Sequence, residues 1–314
     1  MDDLREGVAS IRAEIGKIIV GQERTVDLLI AALLSDGHVL IEGVPGVAKT
    51  LTAKLLARTV SVKFSRIQFT PDLMPSDVIG TSVFNLKTNE FEFKHGPVFA
   101  NIVLIDEINR APAKTQSALF ESMEERQVTV DGKTWKLGSP FMVVATQNPV
   151  EQEGTYRLPE AQLDRFLFKI NVDYPTLQDE TKILADFHSR KNHIDIDSVK
   201  AVLTAEQLKS FREKVYSLHV EPNLLGYIAQ IVNQTRNNSA LYLGASPRAS
   251  LAILTSAKAI AAMRGRDFVT PDDIREVAMP VMQHRVMLTP EKEMEGQTSR
   301  DVIRQIIQQV EIPR

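Results

Sequence analysis

The sequence predicts an α/β fold: a parallel sheet of five strands covered by helices on both faces, followed by an all-α unit. Three observations carry this. Strand-like and helix-like patterns alternate from about residue 38 to residue 173. Two strand candidates, IVLI at 102–105 and FMVVA at 141–145, are near-continuous apolar runs, as strands buried on both faces tend to be. After Tyr174-Pro175 the pattern becomes almost wholly helical.

Taken in order, the strand candidates are 39–42, 63–69, 102–106, 141–147 and 168–173, with helices at 50–59 and roughly 113–125 between them. Two insertions read as hairpins. One, at 128–137 (VTVDGKTWKL), has an Asp131-Gly132 turn between alternating segments. The other, at 81–94 (TSVFNLKTNEFEFK), alternates on both sides of a polar turn at 87–89. Trp135, the single tryptophan, reads as a cross-strand packing residue of the first hairpin. In the helical half, Thr204 with Gln207 forms a capping box. Ser246-Pro247 and Thr270-Pro271 each place a cap before proline at the first helical position. Residues 249–263 and 300–310 have helical spacing. These signals divide the chain at 173–176, into an αβα unit over 1–174 and a helical unit over 175–314.

Length and charge set outer limits. The chain has 314 residues, which suits two domains or one large domain with an appendage. A net charge of −3 argues against a surface that coats nucleic acid. With no cysteine there are no disulfides or thiolate metal sites, and the six histidines lack ligand spacing. The acidic start MDDLREG has no signal-peptide character, and no apolar run approaches the ~20 residues of a membrane span. A cytoplasmic, soluble protein is expected.

The most informative stretch is 43–50, GVPGVAKT. It lies between a short apolar run and a helical pattern, which is the context of a phosphate-binding loop. Backbone N–H groups of Gly43, Val44, Gly46, Val47 and Ala48 would line the phosphates, with Pro45 in the same loop but without an N–H to give, and Leu51 in the helix behind them. Lys49 would reach the outer phosphates and the Thr50 hydroxyl would ligate Mg²⁺. Ala48 stands where the usual pattern has glycine, which is tolerable if φ is negative there. The bland alternative is a tight strand-to-helix turn with a surface lysine.

A second motif closes the apolar run at 102–105 with Asp106-Glu107, at the sheet edge where open α/β folds bind ligands. Asp106 would hold Mg²⁺, through water, and Glu107 would orient and deprotonate an attacking water. Alone, the pair could be a polar strand end and a helix cap. Together with the loop it supplies the parts that phosphoryl transfer needs. No NKxD-like guanine signature occurs, so adenine is favoured. Asn148, at the tip of FMVVATQN, could bond the γ-phosphate or the water, or could form a turn with Pro149.

In order and spacing these motifs resemble those of the AAA+ ATPases, and within them the MoxR-type group of the helix-2-insert clade. The matching segments are GVPGVAKT, QFTPDLMPSDVIG, VLIDEINRAPAKTQSALFESMEERQVTV, ATQNPVEQEGTYRLPEAQLDRF and GASPRA. That group also carries alanine before the loop lysine. The resemblance implies a P-loop NTPase core of three αβα layers with an all-α lid. It implies Asn148 as sensor 1, Arg165 as an arginine finger acting on the neighbouring subunit, and Arg248 as sensor 2. Val20, Gly21 and Gln22 match the segment that packs against adenine, and the hairpins match two inserts near the pore or partner face. It further implies ATP and Mg²⁺ as ligands. The assembly would be a homo-oligomeric ring, a hexamer, remodelling a client protein, often one with a von Willebrand A domain. From the residues alone, Arg165 could instead pair with Asp164 or Glu160, Arg157 is a second finger candidate, and Arg248 would be a solvated charge. A nucleic-acid motor and an ATP-gated scaffold are the rival functions. The first is disfavoured because acids interleave with Lys87, Lys94, Lys133 and Lys136 in the hairpins.

Overall fold

In chain order the strands are β1 (Val39–Gly43), β2 (Phe64–Gln68), β3 (Gly80–Asn85), β4 (Glu90–His95), β5 (Ile102–Asp106), β6 (Gln127–Val130), β7 (Lys133–Lys136), β8 (Met142–Gln147) and β9 (Phe168–Val172). Five of them form one parallel sheet in the order β2-β5-β8-β1-β9. The computed structural model describes residues 1–44, 46–148, 156, 158–191, 193 and 195–313. All of β5 and most of β8 are buried, as their unbroken apolar runs require. Because the strands are parallel, the C-terminal ends of β1, β8 and β5 lie side by side. Ile41 is level with Thr146, and Ile105 with Ala145. The sequence places the loop, Asn148 and Asp106-Glu107 at those three ends.

The helices are α1 (Asp2–Gly16), α2 (Glu23–Leu34), α3 (Lys49–Thr59), α4 (Pro75–Ile79), α5 (Ala113–Glu125), α6 (Glu160–Leu163), α7 (Leu177–Ser189), α8 (Ala205–Tyr216), α9 (Pro222–Arg236), α10 (Pro247–Met263), α11 (Pro271–Met282), α12 (Pro290–Met294) and α13 (Ser299–Gln309). The buried residues of α1, Leu4, Val8, Ile11 and Ile15, repeat at helical spacing and form one stripe. By contrast, α2 is buried almost all round.

Two apolar cores result, divided by the sheet rather than by the 174/175 boundary. One lies between β5, β8, the hairpins and α5. The other joins α1, α2, α3 and the outward face of β1 and β9 to the helices after residue 200. Polar bridges hold the same seam. Arg212 of α8 donates to the carbonyl of Leu33 and pairs with Asp36 at 2.8 Å. Arg285, after α11, is buried and pairs with Asp164 at 2.6 Å while donating to the carbonyls of Phe166 and Leu167.

At the foot of β1, His38 accepts from the Val143 N–H at 2.9 Å and its other ring nitrogen faces the Met123 carbonyl at 3.2 Å. Burial, reinforced by the Arg126 charge, pushes its pKa down from 6.5 to about 3. It is a neutral structural residue.

Both hairpins form with the expected turns. Trp135 faces Val128 across its own hairpin and also stacks on Phe93 of the other, with centroids 5.0 Å apart. A long-range partner of this kind leaves no periodic trace. Thr204 caps α8 in the expected box, and Thr270 does the same for α11 with Asp273. Ser246 precedes α10 as expected, but its hydroxyl makes no cap bond. It donates instead to Asp164 at 3.1 Å, a tertiary partner outside local reach.

Candidate active site

The loop leaves β1 through Gly43, where a Cβ would stand 2.7 Å from the carbonyl oxygen of Val172 on β9. Only glycine allows that approach. Gly46 has φ of +88°, the left-handed region that glycine enters freely. Ala48 corrects the sequence expectation: its φ is +55° and ψ +20°, not negative. The turn into α3 needs this geometry whichever residue is present. An L-residue there carries a strain of about 1–2 kcal/mol. The Lys49 ammonium bonds back to the Gly43 carbonyl across the loop. Pro45 lies outside the described residues.

Across the sheet, Asp106 is buried and its two oxygens are divided. Oδ1 receives the hydroxyls of Thr146 at 3.2 Å and Thr50 at 3.4 Å. Oδ2 pairs with Arg66 Nε at 2.6 Å. Thr50 and Asp106 thus place two hard oxygens together from opposite motifs, a donor set that suits Mg²⁺ with water and phosphate completing its shell. Among the described residues no group of three or more His, Asp or Glu stands in metal-holding geometry.

Glu107 sits in the left-handed region at φ +56°, which turns its side chain off the strand line. Its carboxylate accepts from Gln68 Nε2 at 2.8 Å, and Arg110 lies 3.1 Å away. Its backbone N–H donates to the Thr146 hydroxyl at 3.1 Å. Gln68, Arg66 and Thr146 were not read from the sequence. A polar residue ending β2 and a threonine in an otherwise apolar β8 were the available signals. Asn148 is buried directly after β8, between the strand ends that carry the other two motifs.

Beside the loop lies a cavity of about 270 Å³ lined by Ile18, Val20, Gly21, Gln22, Gly46, Val47, Ala48 and Leu51. Its far wall is α7 and the turn before it, through Asp173, Pro175, Ile183, Phe187 and Arg190. Gln22 donates to the Val47 carbonyl at 2.8 Å, tying the two expected ligand segments together, and its Oε1 is buried without a partner. The α7 wall was missed because Ile183 and Phe187 read as ordinary helix residues. An apolar slot with an orphaned acceptor fits a nucleobase that has an amino group.

Arg165 and Arg248 stand elsewhere. Arg165 precedes β9, and the N–H of Leu167 bonds the carbonyl of His38, which precedes β1. Because β1 and β9 are parallel, Arg165 is at the opposite end of the sheet from the loop. It pairs with neither Asp164 nor Glu160. Its partner is Glu124 at 2.5 Å, while Asp164 is taken by Arg285. Arg248, its side chain more than half exposed, pairs with the same Glu124 at 3.0 Å. Arg157, the other finger candidate, lies outside the described residues.

Residues 38–168 match the family described as ATPase family associated with various cellular activities (AAA), and residues 233–306 match the AAA lid domain. The chain is 46% identical to Chaperone MoxR1 of Mycobacterium tuberculosis, over 96% of this chain and 81% of that one. The chain belongs to the MoxR-type AAA+ ATPases. Protein MoxR of Methylorubrum extorquens is 30% identical over 100% of this chain and 97% of its own length. A crystal structure of a candidate ATPase from Cytophaga hutchinsonii superposes with a TM-score of 0.91, at 41% identity, covering 99% of this chain and 96% of that one. In this MoxR-type chain the fold is that of the family: a parallel five-stranded P-loop core with a helical lid.

Proposed function

We propose that the chain hydrolyses ATP, with Mg²⁺, in a homo-oligomeric ring, a hexamer, in which each site is completed by the next subunit. One observation carries this. Within a single chain, Arg165 and the phosphate loop lie at opposite ends of a sheet whose strand β1 has five residues. At ~3.3 Å per residue that is roughly 16 Å. A guanidinium that far away cannot meet its own γ-phosphate, but it can meet a neighbour's. Arg248 shares its carboxylate partner and goes with it. Both therefore act on ATP bound by the adjoining subunit.

Loop amides, Lys49 and the start of α3 hold the phosphates. Thr50 and Asp106 would hold the metal, which would neutralise charge on the outer phosphates. Glu107, kept in place by Gln68, takes the proton of the attacking water, and Asn148 orients that water or the γ-phosphate. Val20, Gly21 and Gln22 receive the adenine. The work of hydrolysis goes to a client protein, with a von Willebrand A domain as the favoured partner. A relative's name, Chaperone MoxR1, supports a chaperone-like role. So does the apolar hairpin surface of Phe84, Leu86 and Phe91.

Steady-state ATPase assays test the reading. Glu107→Gln and Arg165→Ala should each lose turnover, and mixing the two proteins should recover part of it, because one mixed interface has both halves intact. Wild-type turnover in Arg165→Ala overturns the shared site. A pull-down with Glu107→Gln held in ATP reports the client and the ring size. Capture of no von Willebrand A protein sinks that assignment.

A further inference from the structure

We propose that Glu124 is a positioning residue that aims Arg165 and Arg248 together at the neighbouring subunit. This rests on the shared-site reading above. Glu124 ends α5 and divides its oxygens between two chain segments. Oε2 takes Arg165 Nη1 at 2.5 Å and Oε1 takes Arg248 Nη2 at 3.0 Å. Arg165 Nη1 also donates to the carbonyl of Phe120 at 2.8 Å. Two anchors on one nitrogen fix the plane of the guanidinium and leave the other end of its fork pointing in one direction. Two long, mobile side chains, one from each side of the 174/175 boundary, are thereby held as a pair before any phosphate arrives. Orientation settled in advance is what such groups contribute to rate.

A purely structural role fits poorly. The helical unit is already fastened at this place by Asp164, which pairs with buried Arg285 at 2.6 Å and accepts from Ser246, the residue before α10, at 3.1 Å. Glu124 itself is 38% exposed, so its ion pairs add little to stability. What its carboxylate does alone is join the two arginines.

Glu124→Gln removes the charge and keeps the size. In the full-length protein we expect kcat to fall roughly 10–100-fold while KM for ATP stays within about twofold, because the subunit's own pocket is untouched. Glu124→Asp, too short to span both guanidiniums, should fall between the two. Mixing Glu124→Gln with Glu107→Gln should restore turnover, since the latter brings an intact arginine pair to the former's intact loop. Arg165→Ala is assayed in parallel. If it loses turnover while Glu124→Gln keeps it within about twofold, the positioning role is overturned and the shared site stands. If Glu124→Gln loses turnover and mixing restores none, Glu124 acts inside its own subunit and the proposal fails. If Arg165→Ala keeps wild-type turnover, the shared-site reading falls first, and this proposal with it.

Discussion

At the scale of single residues, this site depends on backbone conformations that few side chains tolerate. Ala48 and Glu107 both stand at positive φ, one in the phosphate loop and one at the end of β5. Each turns the chain so that a functional group faces the strand ends. Ala48→Gly should relieve that strain, partly offset by the greater freedom of glycine in the unfolded chain. The expected net gain is about 0.5–1 kcal/mol, read as a rise of roughly 1–3 °C in Tm. A lower Tm would contradict the left-handed geometry. Gln68 carries a different prediction. Because it holds the Glu107 carboxylate at 2.8 Å, Gln68→Ala should lower kcat roughly tenfold with ATP affinity unchanged. Single-turnover kinetics would check this, and unaltered chemistry would remove Gln68 from the site.

The loop and the Asp106-Glu107 pair could be picked out in sequence because each is local, a few consecutive residues closing an apolar run, and the structure brings Thr50 of the one to Asp106 of the other; Val20, Gly21 and Gln22 came only from the family resemblance. The supports could not be picked out. Gln68 meets Glu107 across 39 positions of chain, and Glu124 meets Arg248 across 124. No spacing rule reaches so far. The same reason explains Arg165, for which the sequence offered Asp164 and Glu160 as partners only because they were nearby.

At the scale of elements, the strand ends were predicted to within a residue or two, since apolar runs and turn signals bound them sharply. Less was readable of how the two hairpins meet. Trp135 packs on Phe93 and approaches His95 edge-on at 5.5 Å, and His95 lies against Phe99 at 4.1 Å. Trp135→Ala should therefore loosen both hairpins at once. Limited proteolysis should cut near 87–89 as well as near 131–132, and Tm should fall, since Phe93 and Phe99 pack against the core beside the hairpins. Cleavage confined to 131–132 would show the hairpins to be independent. His38, at the foot of β1, links the elements to pH. Its folded pKa is depressed to about 3 from 6.5, so below pH 6.5 the unfolded state binds the extra proton. Burial forces His284 the same way. Stability is complete above pH 6.5 and is lost progressively as pH falls from there toward 3. Urea titrations at pH 7.5 and 5 should show the loss, and His38→Gln, neutral throughout, should reduce it. A pH-independent difference between wild type and variant would refute the assignment.

At the scale of the whole molecule, the seam between the sheet and the helical unit is a buried one. Arg285 satisfies Asp164 and the carbonyls of Phe166 and Leu167. Arg285→Ala would leave these acceptors unpaired in the interior, at a cost of about 3–5 kcal/mol. Chemical unfolding should then show a lower midpoint, and an unchanged midpoint would mean the seam is held by apolar contacts alone. The sequence division at 174/175 marks where the pattern changes, but α7, just beyond it, forms a wall of the cavity beside the loop. That cavity is therefore lined from both sides of the division, by the loop and Gln22 on one side and Ile183 and Phe187 on the other.

The stripe of Leu4, Val8, Ile11 and Ile15 has a practical consequence for anyone handling this protein. Those four side chains belong to the same oily interior as the C-terminal helices, so the opening segment is a keystone rather than an ornament. Trimming the first 16 residues to obtain a tidier expression clone would strip that interior and deliver inclusion bodies.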